Sequence, residues 1–354
     1  MIKFNPFKCE VFIVLLFGLL VSLGAQDQRK IAQTGFQFLS VINDARGAAL
    51  GGAVTTLNMG SSALFFNPAC MAQMHNFLDV SGSLNNFIAD IKHSEFSLAI
   101  NPSGGKYGVM GFSLSTVDYG DNFYGTVVTQ FGGIDDYMDT EELSPTAIAF
   151  GLGYAKTISD KFAVGGRIRI VEQDFGTVSV SQFVRVPTDT TTEHPDGLKD
   201  SSIVVTKSFS KKPLVFDFGT YYKTGFKSLV FGMSIRNFSG DIKYIHETFQ
   251  LPMVFTIGID MNLVDFIDEE SNLQRAILTI NSSHYRSREE DLQIGLEYQL
   301  MNVLSLRGSY VTNKDEEGVN FGMGVSFQGF TFDYAYTPFG LFDKVVRYSA
   351  RFTF

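Results

Sequence analysis

Residues that could carry out catalysis are few and poorly spaced for it. The five histidines lie at positions 75, 93, 194, 246 and 284, and none has a metal-binding spacing such as H-E-x-x-H. The chain has no G-x-S-x-G nucleophile motif, and neither GYAKTISDK nor GGRIRI has the lysine spacing of a phosphate-binding loop. We therefore predict no catalytic residue, no metal centre, no cofactor and no enzymatic activity.

Two acidic clusters, DDYMDTEE (135–142) and NKDEEG (313–318), carry the oxygen ligands that divalent cations prefer. Neither cluster follows the spacing of a calcium-binding loop. Two interpretations stay open: the clusters hold cations that also bridge anionic lipid, or they are solvated acidic loops.

Most other charges lie on segments that alternate between apolar and polar residues. VNFGMGVSFQ and LQIGLEYQL are two such segments, and this period of two is typical of a strand with two unlike faces. The charged residues fall on the small, polar face, at Asp79, Glu95, Arg167, Arg169, Asp217, Arg236, Asp260, Glu297, Arg307, Asp333, Arg347 and Arg351.

The elements that position these charges are predicted to be about 14 strands, each roughly as long as a tilted strand that crosses a bilayer. The fold class is therefore all-β. We place the strands near residues 77–86, 94–101, 106–117, 145–156, 161–172, 213–223, 228–236, 252–262, 274–284, 290–300, 303–312, 318–328, 329–337 and 345–354.

A soluble β-sandwich would also alternate, so loop lengths must separate it from a transmembrane antiparallel β-barrel. Every second connection is short, as in PSGG, TISDK and KTGFK, with LVDFIDEESNL as the one longer exception. This parity is typical of barrels with short periplasmic turns. The long connections 118–144 and 173–212 contain GTVVTQF and SIVVTKSF. If those hairpins joined the wall, the barrel would have about 16 or 18 strands.

The chain ends on VVRYSARFTF, which resembles the assembly signal of bacterial outer-membrane proteins. Val346, Tyr348, Phe352 and Phe354 share one face of this strand, and arginines occupy the other. We expect the apolar row to face outer-membrane lipid, to be read by the barrel assembly machinery, and to close the barrel against the first strand. The alternative is an ordinary edge strand.

The other end of the chain has the order of a secretory signal peptide. Lys3 and Lys8 precede the apolar run VFIVLLFGLLVSL, and we place cleavage after Ala25, with an uncleaved anchor as the alternative. Removing 1–25 takes away a net charge of +1, so the net charge of −9 becomes −10. Such an acidic chain, without basic tracts, is not expected to bind nucleic acid. Cys70 is then the single cysteine.

Between the signal and the barrel, residues 26–75 are rich in Ala and Gly and lack long alternation. We predict that they form an N-terminal plug inside a barrel built from 76–354. Arg46 is the only charge between Asp44 and His75, so within the lumen it should pair with an acidic wall residue or with carbonyl oxygens.

FLSVINDARGAALGGAVTTL, followed by SSALFFNPACMAQ, resembles the N-terminal signature of the PorV/PorQ family. Leu50 stands where the family usually has Met, Phe66 provides the aromatic residue before Asn-Pro, and Cys70 replaces Gly. The matching plug residues are Phe38, Leu39, Ala45, Arg46, Ala48, Ala49, Gly51, Gly52, Ala53, Asn67, Pro68 and Ala69.

This resemblance implies a FadL-like barrel of the bacterial outer membrane with an N-terminal plug. It also implies a component of the type IX secretion system that binds the C-terminal domains of secreted cargo and passes them to attachment-complex proteins. Two other hypotheses remain: a FadL-like channel for hydrophobic compounds, with the Phe-rich plug beside its path, and a structural or adhesive barrel whose long loops contact neighbours.

Overall fold

The computed structural model describes most of the chain after the N-terminal segment. The predicted signal peptide, His194, His246 and parts of both acidic clusters lie outside the described residues. Those residues are 34–120, 123–131, 134–139, 142–187, 197–243, 248–266, 274–314, 317–342 and 344–354.

The described residues form strands throughout the region after the plug, as the alternating pattern predicts. They are β1 (Leu78–Asn86), β2 (Lys92–Ile100), β3 (Val109–Asp118), β4 (Thr126–Phe131), β5 (Ile134–Asp139), β6 (Thr146–Ser159), β7 (Phe162–Pro187), β8 (Leu198–Lys211), β9 (Leu214–Lys223), β10 (Val230–Phe238), β11 (Ile242–Lys243), β12 (Thr248–Phe249), β13 (Val254–Asn262), β14 (Gln274–Tyr285), β15 (Asp291–Leu300), β16 (Leu304–Val311), β17 (Val319–Phe327), β18 (Phe330–Pro338) and β19 (Lys344–Thr353).

Fourteen of these strands form one closed antiparallel barrel, which confirms the predicted fold class and strand count. The wall consists of β1–β3, β6, β7, β9, β10 and β13–β19. It closes where β1 pairs with β19, with Asp79 opposite Thr353 and Asn86 opposite Val346. Closure pairs the edge strands, so the wall presents no open edge to hydrocarbon.

The two faces of the wall differ as the alternation predicts. On β17, Phe321, Met323 and Phe327 are exposed on the outside, whereas Asn320 is buried inside. The charges predicted for the lumen face of the other strands lie there, for example Arg167, Glu297 and Arg347, which are all buried. An apolar exterior around a polar interior is the arrangement of a membrane barrel and not of a sandwich.

The two ends of the barrel differ in loop length. At one end the turns are tight, and Met301, Asn302, Gln328 and Gly329 all adopt left-handed backbone angles there. The opposite end carries the β4–β5 hairpin and a ribbon in which β8 pairs with the extension of β7 beyond the wall. These two hairpins lie outside the wall, so the count is not 16 or 18. In outer-membrane barrels the long-loop end faces outwards, and we call it the outer end.

The lumen contains residues 34–77, which run from the outer end to β1. Short helices form here: the α-helix α1 (Ala45–Ala49) and the 3₁₀ helices Gln37–Ser40, Gly60–Phe65 and Pro68–Gln73. Asp44 caps α1 by accepting a 2.7 Å hydrogen bond from the Gly47 N–H. Further 3₁₀ turns lie in the connections, at Ile88–Asp90, Pro102–Gly105, Leu263–Phe266 and Gly340–Phe342.

The largest hydrophobic core lies inside the barrel and not between layers. Leu50, Leu64 and Met71 of the luminal segment are fully buried against small wall residues such as Ala99 and Ala163. Within the described residues, no helix has the length and apolar character needed to cross a membrane.

Candidate functional site: the plugged lumen

The luminal segment separates two large cavities. We call residues 34–41 the outer strap and residues 42–74 the inner plug. The cavity beside the outer strap, which we call the outer pocket, has a volume of about 770 Å³. The cavity below the inner plug, which we call the inner vestibule, has a volume of about 780 Å³.

Arg46 fixes the inner plug to the wall. Its Nε and Nη2 atoms each donate a 2.8 Å hydrogen bond to a different carboxylate oxygen of Glu297, and its Nη1 donates to the Asn58 carbonyl at 2.9 Å. The Glu297 side chain is only 3% exposed. A two-point guanidinium–carboxylate pair of this kind is strong and directional. Arg46 was predicted to pair with an acidic wall residue or with carbonyl oxygens, and it pairs with one of each.

The same carboxylate belongs to a chain of alternating charges that lines the inner vestibule. Arg307 donates to Glu297 at 2.5 Å and to Asp333 at 2.6 Å. Nearby, Arg351 donates to Asp79 at 3.0 Å. Because each buried charge has an opposite partner, the network offsets the cost of removing these groups from water.

Gly51 and Gly52 let the inner plug approach the wall closely. Both have positive φ, 63° and 84°, which favours glycine. A Cβ atom at Gly51 would lie 2.7 Å from Val311 Cγ2. Both glycines were named from the sequence only as part of the N-terminal motif, and nothing in the sequence identified Val311 as the wall residue that Gly51 approaches.

Asn67, Pro68 and Ala69 form a second attachment. The Asn67 side chain donates to the Thr55 carbonyl at 2.7 Å and the Thr220 carbonyl at 2.9 Å, and its Oδ1 accepts from the Ala69 N–H at 3.1 Å. Pro68 occupies the first position of the following 3₁₀ helix, where its missing N–H costs little.

Two wall glycines provide the space for this attachment. A Cβ atom at Gly219 would lie 1.8 Å from Asn67 Oδ1, and one at Gly165 would lie 2.6 Å from the Pro68 carbonyl carbon. Sequence reasoning missed these two residues. The sequence feature that could have identified them is a glycine on the lumen face of a strand: Gly165 in GGRIRI and Gly219 in FDFGTYY.

The outer strap is attached mainly through aromatic contacts. The Gly35 N–H donates to the Gln250 carbonyl at 3.2 Å, and the Phe36 ring stacks on Phe249 with centroids 6.2 Å apart. Phe38 is buried beside them, and the Leu39 carbonyl accepts a 3.4 Å hydrogen bond from Asn237 Nδ2. Phe38 and Leu39 therefore lie in the strap and not in the clamped part of the plug.

Three arginines converge between the outer strap and the wall. Arg167 and Arg169 share Asp217, at 2.7 and 2.8 Å. Arg236 donates to the Phe65 carbonyl at 2.7 Å. The sequence placed these residues on the lumen face, but it gave no sign that they meet. They line a small void of about 30 Å³.

The outer pocket is largely aromatic. None of the described residues that line it is Asp, Glu, Lys or Arg. Polar side chains also line it: His93, Gln173 and Tyr119 on the wall side, Gln37 and Thr34, which pair with each other on the strap, and Thr248. The apolar lining is formed by Phe36, Phe38, Val41, Phe87, Ile91, Phe175 and Phe249.

Burial raises the pKa of two groups in the lumen, Asp44 of the inner plug and Tyr119 of the outer pocket. Burial raises the pKa of the Asp44 carboxyl, although the Gly47 hydrogen bond opposes that shift. Burial also raises the pKa of the Tyr119 hydroxyl against the opposing effect of the Gln173 hydrogen bond. Tyr119 is therefore a neutral hydrogen-bonding group of the outer pocket at neutral pH.

The C-terminal strand places its predicted assembly residues on the outside. Phe352 packs against Phe330 with ring centroids 4.6 Å apart, and Tyr348 packs against Tyr334 at 5.5 Å. Phe354 exchanges two 2.9 Å backbone hydrogen bonds with Leu78 at the barrel seam. Val346 is the fourth residue of this outward row, opposite Asn86.

Among the residues that the structure describes, no group of three or more His, Cys, Asp or Glu side chains is arranged to hold a metal ion. Cys70 is buried in the inner plug, where its Sγ lies 3.2 Å from the Thr55 carbonyl oxygen.

Solved structures with the same architecture are outer-membrane transporters and channels. Three matches are the Ralstonia pickettii toluene transporter TbuX (TM-score 0.57, 13% identity, 89% of this chain and 99% of that one), the monoaromatic hydrocarbon channel CymD (0.55, 13%, 89% and 98%) and a Pseudomonas aeruginosa FadL homologue (0.51, 11%, 88% and 98%). No protein-family model and no curated protein matches the sequence.

The closed wall and these neighbours define the chain as a FadL-like outer-membrane β-barrel, and the predicted location in the bacterial outer membrane is confirmed. At 11–13% identity the likeness concerns the fold. The PorV/PorQ resemblance and its role in type IX secretion stay predictions that rest on the N-terminal motif.

Proposed function

We propose that this protein is an outer-membrane channel that takes up small hydrophobic molecules. The observation that carries the proposal is the outer pocket: an aromatic-lined cavity that opens at the outer end and lies against the outer strap. Ligand sites of about 300–1,000 Å³ lined by apolar side chains with a few polar groups are typical of small-molecule binding, and the outer pocket measures about 770 Å³.

The asymmetry of the lumen supports a capture step on the outer side. Apolar molecules partition into the outer pocket, where rings such as Phe87 and Phe249 offer contact, because burial there removes apolar surface from water. The inner vestibule is lined mostly by polar and charged side chains, such as Arg307, Glu297 and Asp333. The names of the structural neighbours, which include a toluene transporter and a monoaromatic hydrocarbon channel, agree with this class of cargo.

Movement of the outer strap is the step that admits a ligand to the interior. The strap borders the outer pocket and carries Phe38 and Phe36, and a ligand would replace the Phe36 ring against Phe249. The inner plug stays in place during capture, because Arg46 and Asn67 hold it to the wall.

The experiment compares uptake of radiolabelled toluene by cells that lack this protein with uptake by complemented cells, using labelled glucose as the control solute. Complementation should raise the rate for toluene and leave the rate for glucose unchanged. Phe175→Ser, in the outer pocket, should reduce the gain, whereas Phe342→Ser, on an exposed outer turn away from the pocket, should not. Equal toluene uptake with and without the protein would exclude the channel function.

The cargo-binding role in type IX secretion is a second candidate because twelve residues between Phe38 and Ala69 match the PorV/PorQ signature in order. Gene deletion followed by measurement of surface display of secreted proteins tests it. Loss of display together with unchanged toluene uptake would favour this role over the channel.

A further inference from the structure

The outer pocket contains a group of polar side chains that a purely apolar ligand would leave unsatisfied. His93 is 3% exposed, and its Nδ1 has no hydrogen-bond partner among the described residues. Gln173 Nε2 donates to the Tyr119 hydroxyl at 3.4 Å, a long and therefore weak hydrogen bond. All three side chains line the pocket: His93 from β2, Tyr119 from just after β3, and Gln173 from β7.

Buried polar groups are normally paired, since an unpaired one loses its hydrogen bonds to water without replacement. The imidazole of His93 is held in place by an edge-on contact with Phe87, with ring centroids 5.6 Å apart. A ligand that supplies a hydroxyl or a carbonyl oxygen would pair directly with Tyr119 and Gln173, and with His93 once the imidazole turns to bring the buried Nδ1 to the pocket. A hydrocarbon of the same shape would leave them unpaired.

The remaining lining defines the rest of the ligand. Phe36, Phe38, Phe87 and Phe249 surround the polar group with ring faces and edges, which pair well with another aromatic ring. None of the described lining residues is charged, so an ionised ligand would lose its hydration without a counter-charge.

The arginines below the pocket do not change this conclusion. Arg167 and Arg169 already share Asp217, and the void that they line, about 30 Å³, is close to the size of one or a few water molecules. That void lies between the outer strap and the wall, shares Phe38, Val41 and His93 with the outer pocket, and has Glu95 beside the arginines.

We propose that the outer pocket selects uncharged aromatic molecules that carry one hydroxyl or carbonyl group, which hydrogen-bonds among His93, Tyr119 and Gln173. This inference rests on the proposed channel function and narrows its substrate class from hydrophobic molecules in general to phenol-like and aryl-ketone-like ones.

Three probes that share an ethylphenyl group test the proposal: ethylbenzene, 4-ethylphenol and 4-ethylbenzoate. Their binding to the purified full-length protein in detergent micelles is measured by calorimetry at pH 7, with protein-free micelles as the blank. A gained hydrogen bond should make 4-ethylphenol bind about 10-fold more tightly than ethylbenzene. The ionised 4-ethylbenzoate should bind more weakly than 4-ethylphenol.

Matched variants locate the effect. His93→Leu should remove most of the preference for 4-ethylphenol, while His284→Leu should keep it, because His284 is exposed and paired with Glu290 outside the pocket. Gln173→Leu provides a second test if the His93 variant fails to fold as a heat-modifiable barrel.

Each outcome separates the two proposals. Equal binding of ethylbenzene and 4-ethylphenol overturns the polar selectivity and leaves the channel function standing. The polar selectivity is also overturned if both His93→Leu and Gln173→Leu keep the preference for 4-ethylphenol over ethylbenzene. It is overturned as well if 4-ethylbenzoate binds most tightly of the three probes. If none of the three probes binds, the outer pocket is not a ligand site, and the proposed channel function falls with it.

Discussion

The inner plug and the outer strap occupy the same lumen but are held in different ways. Arg46 and Asn67 of the inner plug make short, directional bonds to Glu297 and to the Thr220 carbonyl. The outer strap is held mainly by ring contacts such as Phe36 on Phe249. Directional polar bonds fix one position, whereas apolar contacts can be exchanged for those of another apolar molecule.

This difference indicates a division of roles along the lumen. The fixed part blocks the barrel near the charged inner vestibule, where a passing ion would otherwise find a polar path. The exchangeable part borders the outer pocket, where the proposed function places the ligand. A plug held everywhere by ion pairs could not yield to a hydrophobic ligand, because such a ligand offers no charge to replace them.

The largest effect is expected from Arg46→Ala. The change removes one partner of a buried ion pair and should weaken docking of the inner plug by about 3 kcal/mol, while the wall keeps its own hydrogen bonds. Conductance in planar bilayers and protease cleavage within residues 31–75 should both increase, and the barrel should remain heat-modifiable. Wild-type values for both readings in a folded variant would show that Arg46 does not clamp the plug.

A smaller effect is expected from Gly219→Ala. The new methyl group would overlap Asn67 Oδ1, and overpacking of this kind costs about 1–3 kcal/mol. Thermal unfolding should reveal a less stable plug, with the same rise in cleavage as above. Gly82→Ala is the control, because a Cβ atom there meets nothing closer than a carbonyl oxygen at 3.9 Å. Equal behaviour of the two variants would contradict the packing described for Asn67.

Phe249→Ala tests the outer strap. Removal of a half-buried ring facing Phe36 should cost roughly 1.5 kcal/mol of local stability. Protease access should increase at residues 34–41 and remain unchanged at 44–74, with conductance near the wild-type value. An increase in conductance as large as that of Arg46→Ala would show that the strap also seals the lumen, and the two regions would then not differ as described.

The smallest effect concerns the wall itself, on which both regions depend. Phe354→Asp places a carboxylate in the outward row and should reduce the folded fraction by an amount equivalent to about 1 kcal/mol. Thr353→Asp, on the lumen side, should reduce it less. Heat-modifiability of membrane fractions gives the folded amount. Equal losses of folded protein in the two variants would mean that the barrel assembly machinery does not recognise the outward row.

The wall was predictable because each strand shows its two faces in the alternation of its own residues. Alternation along segments such as VNFGMGVSFQ fixes which side chains face outwards, and the positions of short turns fix the parity of the loops. The same reasoning anticipated the partner type of Arg46, since a lone buried guanidinium requires an acid or carbonyl oxygens.

The contacts inside the lumen were not predictable, because they join residues far apart in sequence. Nothing near Asn67 indicates that Gly219 must leave room for it. Likewise, Arg167 and Arg169 lie on β7 and Asp217 lies on β9, and the three meet only because these two strands pair across the long β7–β8 ribbon. The outer pocket depends on how residues such as Phe36 and Tyr119 meet, which a strand pattern does not specify.

Hydrogen exchange of the backbone amides, followed by mass spectrometry on the detergent-solubilised protein, tests the central claim most directly. Peptides that cover the outer strap, 34–41, and the inner plug, 42–74, are compared with and without 4-ethylphenol. We predict faster exchange in the strap than in the plug, and a change on ligand addition that is confined to the strap. Equal exchange rates in both segments, or a ligand response in the inner plug alone, would contradict the account.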